Sequence, residues 1–247
     1  MKIVVLAKHV PDATGSAPLP LTAQSTAPRV TDCCQSWMST PWNKPCRLPD
    51  ELDDVEVVVM TLGPEDAADA IKRALQMGAS AAIHIIDDAV HGSDALATSA
   101  ILAEAIKKAA PDLVICGMAS TDGTMGVVPA MIAERLSWPA ATLGATLSVA
   151  DDQVTIRRDD DVASLTIEAS LPAIVSVTDQ SGEARYPSMR GILAAKKKPV
   201  ESWTLADLGI EPTSVGLNAA WSKVLQRPRG LEKNQAVWLR RRTACQR

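Results

Sequence analysis

The sequence predicts an α/β fold whose sheet is mostly parallel and doubly wound, with helices on both faces. Short apolar runs rich in branched residues alternate with longer segments of helical periodicity, which is the pattern of βαβ units. The apolar runs do not alternate with polar residues, as expected for parallel strands that are buried on both faces. After Leu136 the pattern changes to three short strand-like runs separated by turns, which predicts an added antiparallel β meander.

The composition is that of a globular protein and argues against several functional classes. The chain has 247 residues, of which 47% are hydrophobic and 22% charged, so it can bury a substantial core. With a net charge of −4 it is not expected to bind nucleic acid, and no run of about 18 apolar residues predicts membrane insertion. A signal peptide is not expected, and five cysteines without a CxxC pair predict a cytoplasmic protein with free thiols.

The elements of the main sheet are justified by apolar runs and by the residues that start and stop helices. Pro64 precedes one predicted helix and Gly78 ends it, while Ser93 stands at the N-cap position of the next. The predicted strands are residues 3–7, 55–61, 81–86, 112–116 and 171–177, and the predicted helices between them are residues 65–77, 94–109 and 127–136.

The second half of the chain adds smaller elements. Ser188 is expected to cap a short helix that runs to Lys198, and residues 203–209 are expected to form one or two helical turns. The predicted strands of the meander are residues 145–149, 154–158 and 163–169.

The loop that follows the central strand is the main candidate site. Residues 117–126 consist largely of Gly, Ser, Thr and Asp and lead into the helix at 127–136. Backbone N–H groups and the positive end of a helix dipole at such a junction suit a phosphate group. The glycine spacing is neither GxGxxG nor a P-loop, so an ordinary strand-to-helix turn is the commoner interpretation of this loop taken alone.

Other polar residues should meet this loop at the carboxyl edge of the sheet, where the ligands of α/β folds bind. Lys8 follows the first predicted strand and Asp87 follows the third. Lys8 can contact a phosphate, pair with a carboxylate, or remain a solvated lysine. The three histidines lack metal-ligand spacing, so no metal site is expected.

Several stretches together resemble the beta subunit of electron transfer flavoprotein, in the same order, over about residues 1–12 and 53–220. The most specific is EARYPSMRGILAAKKKP after LPAIVSV. The others are VVLAKHVPD, LGPEDAADAIKRALQMGA, HGSDALATSAILAEAI, DLVICGMASTDGTMG with its helix VVPAMIAERL, and DLGIE.

The resemblance implies an electron carrier subunit that performs no bond chemistry itself. It implies an adenine-nucleotide-binding, Rossmann-like domain at 1–200 and a partner-wrapping arm at 201–247. With a FAD-bearing alpha subunit, the heterodimer would carry electrons from acyl-CoA and related dehydrogenases to a quinone-linked acceptor. The beta subunit would hold AMP, or a second FAD in electron-bifurcating members.

The resemblance also implies which residues contact the ligand and the partners. The phosphate of AMP would be held by Asp122, Gly123, Thr124, Gly126, Val127 and Val128, with Leu6, Ala7 and Lys8 close to the same nucleotide. The loop that recognises the dehydrogenase maps onto residues 186–192, so Tyr186, Met189 and Ile192 would contact it, with Met189 at the tip.

Two segments depart from the family pattern. Residues 13–50 contain six prolines, the pair Cys33-Cys34 and no helical or strand period, and the tail from about residue 227 is basic. Both are typical of a coding sequence read out of frame, which is a hypothesis from composition. Two alternatives therefore stand beside the carrier function: a frame-damaged, inactive relative, and a stand-alone nucleotide-binding protein of the universal-stress type.

Overall fold

The computed structural model describes residues 1–10, 55–120, 122–182 and 186–222. The strands in these ranges are β1 (Lys2–Ala7), β2 (Glu56–Leu62), β3 (Ala81–Ile85), β4 (Leu113–Gly117), β5 (Ala140–Gly144), β6 (Thr146–Ala150), β7 (Gln153–Asp159), β8 (Ser164–Ser170), β9 (Ala173–Val177) and β10 (Val200–Trp203). The helices are α1 (Ala68–Gln76), α2 (Ala95–Ala109), α3 (Val128–Leu136), α4 (Met189–Ala195) and α5 (Gly216–Ala219).

Seven strands form one sheet in the order β10-β3-β2-β1-β4-β9-β5, and every neighbouring pair in it is parallel. The predicted α/β class is therefore confirmed. The chain moves outward from β1 in one direction through β2 and β3, and in the other direction from β4. Because the winding direction changes between β1 and β4, the carboxyl ends of these two strands border the crevice where such folds bind ligands.

The two faces of this sheet carry separate apolar cores. On one face α1 contributes Ile71 and Leu75, and the meander contributes Ile156. On the other face α2 contributes Ile101 and α3 contributes Ile132. Each fully buried aliphatic side chain stabilises the fold by about 1.5–3 kcal/mol, so mainly aliphatic packing closes both layers in a chain without phenylalanine, with Trp203 added on the second face.

The meander forms the predicted second sheet. Strands β6, β7 and β8 pair antiparallel in that order, and the hairpins turn at residues 151–152 and 160–163. The strand predicted at residues 171–177 is β9, and it returns to the main sheet as predicted, where it pairs with β4.

Three local expectations were wrong. Asp94, not Ser93, caps α2: its carboxylate accepts the N–H of Ala97 at 3.1 Å, while the Ser93 hydroxyl accepts the N–H of Gly216 at 2.9 Å. The helix capped by Ser188 ends at Ala195 rather than at Lys198. Trp203 ends strand β10 instead of starting a helical turn, and only Ala206–Leu208 is a short 3-10 helix.

The strands β5 and β10 were not predicted at all. Both are short edge strands, with the sequences AATLG and VESW, and neither has a long apolar run because many of their side chains are exposed. Residues 13–50 and the tail from about 227 lie outside the described residues, so the domain limits and the reading-frame hypothesis stay predictions. No helix in the described ranges is long and apolar enough to cross a membrane.

Candidate functional site

The crevice between β1 and β4 brings together the residues that the sequence placed near a phosphate. Lys8 directly follows β1, and residues 118–127 connect β4 to α3. The Nζ atom of Lys8 donates a hydrogen bond to Oδ2 of Asp122 over 2.6 Å. Of the three interpretations of Lys8, the structure therefore shows the ion pair with a carboxylate.

The loop after β4 is shaped by its own polar groups. The other carboxylate oxygen of Asp122 accepts the N–H of Gly123 at 2.7 Å, and the N–H of Thr124 donates to the carbonyl of Ser120 at 2.9 Å. Thr124 and Gly126 adopt left-handed backbone conformations, with φ of 49° and 65°. These reversals bend the chain so that α3 begins at the carboxyl edge of the sheet.

The first turn of α3 presents backbone donors with no capping side chain. Val127 occupies the N-cap position and makes no side-chain hydrogen bond, and Pro129 lies in the first turn, where its missing N–H costs nothing. The N–H groups at the start of a helix have no partner within the helix, and its dipole favours a negative charge. This end of α3 is therefore suited to an anion.

The charges in the crevice are balanced by the ion pair. Partial burial acts to raise the pKa of Asp122, but the charge of Lys8 and hydrogen bonds from Lys8, Ser120 and the Gly123 N–H together hold that pKa below its ordinary value. The side chains of Lys8 and Asp122 are 53% and 31% exposed, so the pair contributes at most about 1 kcal/mol to stability. We infer that its main effect is to hold the ammonium group at the mouth of the crevice.

The remaining predicted contacts surround the same crevice. Leu6 and Ala7 end β1, the strand next to β4, and Ala7 is buried while Leu6 is half-buried. Val127 and Val128 at the start of α3 are half-buried. No measurement of a bound nucleotide tests these residues, so their contact with it stays a prediction.

The residues predicted to meet a dehydrogenase lie elsewhere, in α4 and just before it, and α4 packs against α1. Tyr186 and Met189 are each 78% exposed, and Ile192 is half-buried. The structure adds Leu193, 64% exposed, which follows Met189 by four positions and so lies on the same helical face. That spacing was present in the sequence and was overlooked.

Asp87, which was also expected at the carboxyl edge, accepts hydrogen bonds from backbone N–H groups of the chain. Oδ1 of Asp87 accepts the N–H of Ala89 at 3.0 Å, and Oδ2 accepts the N–H of Leu205 at 3.3 Å. Asp87 therefore stabilises local structure rather than facing the crevice.

Neither a metal centre nor a reactive thiol stands out among the residues that the structure describes. No three acidic, histidine or cysteine residues in these ranges cluster as metal ligands. Cys116 lies in β4 close to the crevice, but complete burial raises its pKa to about 12, so the thiol stays protonated and poorly nucleophilic near neutral pH.

Comparison with known proteins identifies the family. Residues 46–208 match the electron transfer flavoprotein domain. The chain belongs to this family. Its relatives include an electron transfer flavoprotein subunit beta of Mycobacterium leprae, which is 50% identical over 170 residues, or 68% of this chain and 64% of the relative. The chain therefore spans less than two thirds of that relative's length.

Two further relatives extend the comparison. An electron transfer flavoprotein subunit beta of Methylophilus methylotrophus is 37% identical over 69% of this chain and 66% of its own length. The caffeyl-CoA reductase-Etf complex subunit CarD of Acetobacterium woodii is 33% identical over 92% of this chain and 87% of its own length. The resemblance to beta subunits of electron transfer flavoprotein is thus confirmed.

Proposed function

We propose that this chain is the beta subunit of an electron transfer flavoprotein. With a FAD-bearing alpha subunit it carries electrons from acyl-CoA and related dehydrogenases to a quinone-linked acceptor. The observation that carries the proposal is the crevice between β1 and β4, where a lysine and an uncapped helix meet in a chain of this family. The relative from Acetobacterium woodii is a subunit of a caffeyl-CoA reductase-Etf complex, which supports a partner that acts on a CoA thioester.

The crevice fits the phosphate of AMP. It offers the ammonium group of Lys8, the first N–H groups of α3, and two glycines whose lack of a side chain leaves the backbone accessible. Gly126 matters most, because its φ of +65° is strained for residues other than glycine. The carboxylate of Asp122 would keep Lys8 in place, because it would repel the phosphate, and Asp122 would meet the phosphate through its backbone N–H.

The role of this chain in electron transfer is to bind and position. FAD, when held by the alpha subunit, supplies the one- and two-electron chemistry. The AMP held by this chain would be structural, joining β1, the loop after β4 and α3 into one rigid surface. We propose a cytoplasmic location, in keeping with the free thiol of Cys116.

Partner recognition would fall to the apolar residues in α4 and just before it. Tyr186 and Met189 are large and mostly exposed, and Ile192 supports them from a half-buried position. A thioether side chain adapts to pockets of different shape, which suits a carrier that serves several dehydrogenases.

The test is to co-express the full chain with the alpha subunit from the same genome and to analyse what co-purifies. We expect a yellow heterodimer that releases one equivalent of AMP per dimer upon denaturation. A heterodimer that releases two equivalents of FAD and no AMP would show that this chain holds a second FAD in place of AMP. A colourless protein that binds ATP without an alpha subunit, or insoluble protein without nucleotide, would contradict the proposal.

A matched pair of variants tests the recognition residues in the same heterodimer. Met189→Glu should lower the rate of electron transfer from an acyl-CoA dehydrogenase at least tenfold and leave AMP content unchanged. Val200→Glu changes an apolar residue that is 50% exposed in β10 and should leave the rate within twofold of the wild type. Equal rates for Met189→Glu and the wild type would contradict this assignment.

A further inference from the structure

The two sheets differ in how their edges are protected from other strands. In the main sheet, β10 has four residues and follows Pro199, while β5 follows Pro139 and has a register shift between Ala141 and Gly144. Short length, proline and irregular register are devices that prevent unwanted strand pairing. In the meander, the edge strand β6 is packed by the 3-10 turn Asp179–Ser181.

The opposite edge of the meander, strand β8, has none of these devices. It has seven residues, Ser164–Ser170, and its sequence SLTIEAS contains no proline, no lysine and a single charge at Glu168. Its register with β7 is regular along the whole strand. Among the described strands β8 pairs with β7 alone.

The hydrogen bonds at the two ends of the hairpin show which backbone groups of β8 face outward. The N–H of Asp160 donates to the carbonyl of Ala163 at 3.1 Å, and the N–H of Leu171 donates to the carbonyl of Asp152 at 2.9 Å. In an antiparallel ladder every second residue exchanges bonds with the neighbouring strand. Counting from both ends in register, residues 165, 167 and 169 bond to β7, so the N–H and C=O groups of Thr166 and Glu168 point to the open edge.

The surface along this edge is accessible. Thr166 and Glu168 are exposed, Leu165 on the other face is 42% exposed, and Ile167 is half-buried. The hairpin turn adds Val162, which is 94% exposed. An extended segment lying along β8 would therefore gain main-chain hydrogen bonds and would also cover apolar surface beside the meander.

We propose that β8 is a docking edge to which the partner subunit of the flavoprotein adds an antiparallel β-strand. Strand addition at an open edge takes its affinity from main-chain hydrogen bonds and its specificity from alternate side chains. The added strand would carry apolar residues on the face beside Leu165 and Ile167, and polar or basic residues on the face beside Thr166 and Glu168. This inference rests on the proposed function, because it needs the partner subunit.

A second copy of this chain is a poorer occupant. Seven residues at about 3.4 Å each form an edge about 24 Å long in a layer about 10 Å thick. Pairing β8 with its own copy would therefore bury roughly 500 Å² in total, below the approximately 1,000 Å² of a stable interface. A partner subunit that contacts other parts of the chain can include this edge in a larger interface.

Hydrogen exchange in the wild-type heterodimer tests the inference without any mutation. The amides of Thr166 and Glu168 should exchange quickly in the isolated chain and at least a hundredfold more slowly in the complex with the alpha subunit. The amides of Leu165 and Ile167 already bond to β7 and should change less.

Two substitutions at one position provide a matched pair. Thr166→Pro removes an outward N–H and leaves the ladder with β7 intact, so the isolated chain should keep its circular dichroism spectrum and lose at least tenfold in affinity for the alpha subunit. Thr166→Ala keeps the N–H and should bind within twofold of the wild type.

The possible results separate this inference from the proposed function. Slow exchange at Thr166 and Glu168 in the complex, together with weak binding of Thr166→Pro, would support strand addition. Tight binding of the alpha subunit with both amides still exchanging quickly would overturn strand addition and leave the proposed function standing. Concentration-dependent protection of these amides in the isolated chain would assign the edge to a second copy and overturn the proposal, and absence of any binding to the alpha subunit would overturn both.

Discussion

The helices α2 and α3 both begin at the carboxyl edge of the parallel sheet, and their first turns differ in what occupies them. At α2 the carboxylate of Asp94 accepts the N–H groups of Ala97, Trp221 and Ser222 at 3.1, 2.8 and 3.1 Å. At α3 the N-cap residue Val127 makes no side-chain hydrogen bond, and the nearest charged pair is Lys8 with Asp122.

The difference explains why the start of α3, and not the start of α2, is the candidate ligand site in the described part of the chain. The start of α2 is closed, because its dipole already faces a carboxylate and the chain at residues 215–222 lies across it. At the start of α3, the N-cap residue makes no side-chain hydrogen bond within the described part of the chain, and the ion pair of Lys8 with Asp122 lies beside it. Both loops are rich in Ser, Asp and Gly, so composition alone does not distinguish the start of α2 from the start of α3.

The largest expected effect comes from a substitution that displaces the segment lying across the start of α2. Gly216 has a φ of +76°, and a Cβ atom there would collide with the carbonyl oxygen of Ala89. Gly216→Val should therefore destabilise the docked segment by about 3 kcal/mol. Amide hydrogen exchange measures the effect at Leu217, whose N–H bonds to the carbonyl of His91 at 2.9 Å and should lose about a hundredfold in protection.

Gly209→Val is the matched control for this prediction. Gly209 has a similar φ of +67°, but nothing lies within 4 Å of an added Cβ atom. It should strain its own turn and leave exchange at Leu217 unchanged. Equal loss of protection at Leu217 in both variants would show that the close approach of Gly216 to Ala89 is unimportant.

A smaller effect, on the affinity for AMP, is expected from removing the ammonium group of Lys8 beside the start of α3. Lys8→Met, combined with Asp122→Asn so that no carboxylate is left unpaired, should weaken AMP binding about tenfold, or about 1.4 kcal/mol. Isothermal titration calorimetry measures the affinity of the wild type and of the double variant for AMP and for adenosine. Adenosine lacks the phosphate, so its affinity should be the same for the wild type and the double variant. Lys72→Met, at an exposed lysine on α1, should leave the affinity for AMP unchanged.

The smallest effect concerns the charge of Asp94. Partial burial acts to raise its pKa, but hydrogen bonds from the N–H groups of Ala97, Ser222, Trp221 and Leu96 hold the pKa below its ordinary value. Because the pKa is depressed in the folded state, the carboxylate contributes stability above about pH 4, and this contribution is lost as the pH falls through the folded-state pKa.

Asp94→Asn keeps the cap and removes the charge. It should lower the free energy of unfolding by about 0.5 kcal/mol at pH 7. Urea denaturation at pH 7 and at pH 2.5 measures the difference from wild type, which should shrink at the lower pH. A difference that is larger at pH 2.5 would contradict the assigned role of the charge.

Much of the main sheet could be predicted because its central strands are buried on both faces. Residues 3–7, 55–61 and 112–116 consist mainly of branched aliphatic residues for that reason, and they lie within or overlap β1, β2 and β4. The edge strands β5 and β10 were not predicted, because many of their side chains are exposed and their sequences contain no continuous apolar run.

The candidate site was predictable as a loop but not as an arrangement. Glycines, serines and aspartates after an apolar strand indicated the bend, whereas the bond from Lys8 to Asp122 joins residues 114 positions apart. A distant contact also explains why Asp94 and not Ser93 caps α2, because the Ser93 hydroxyl accepts the N–H of Gly216, 123 positions away. Local patterns do not contain such contacts.

The central claim is that the start of α3, and not the start of α2, receives a phosphate. Amide chemical shifts in the full-length chain, followed during a titration with AMP and then with adenosine, test it most directly. The account predicts that AMP shifts the amides of Gly123, Gly126 and Val128 and leaves those of Ala95 and Ala97 unchanged, while adenosine shifts the first group much less. Shifts at the start of α2, or equal shifts with AMP and adenosine at α3, would contradict it.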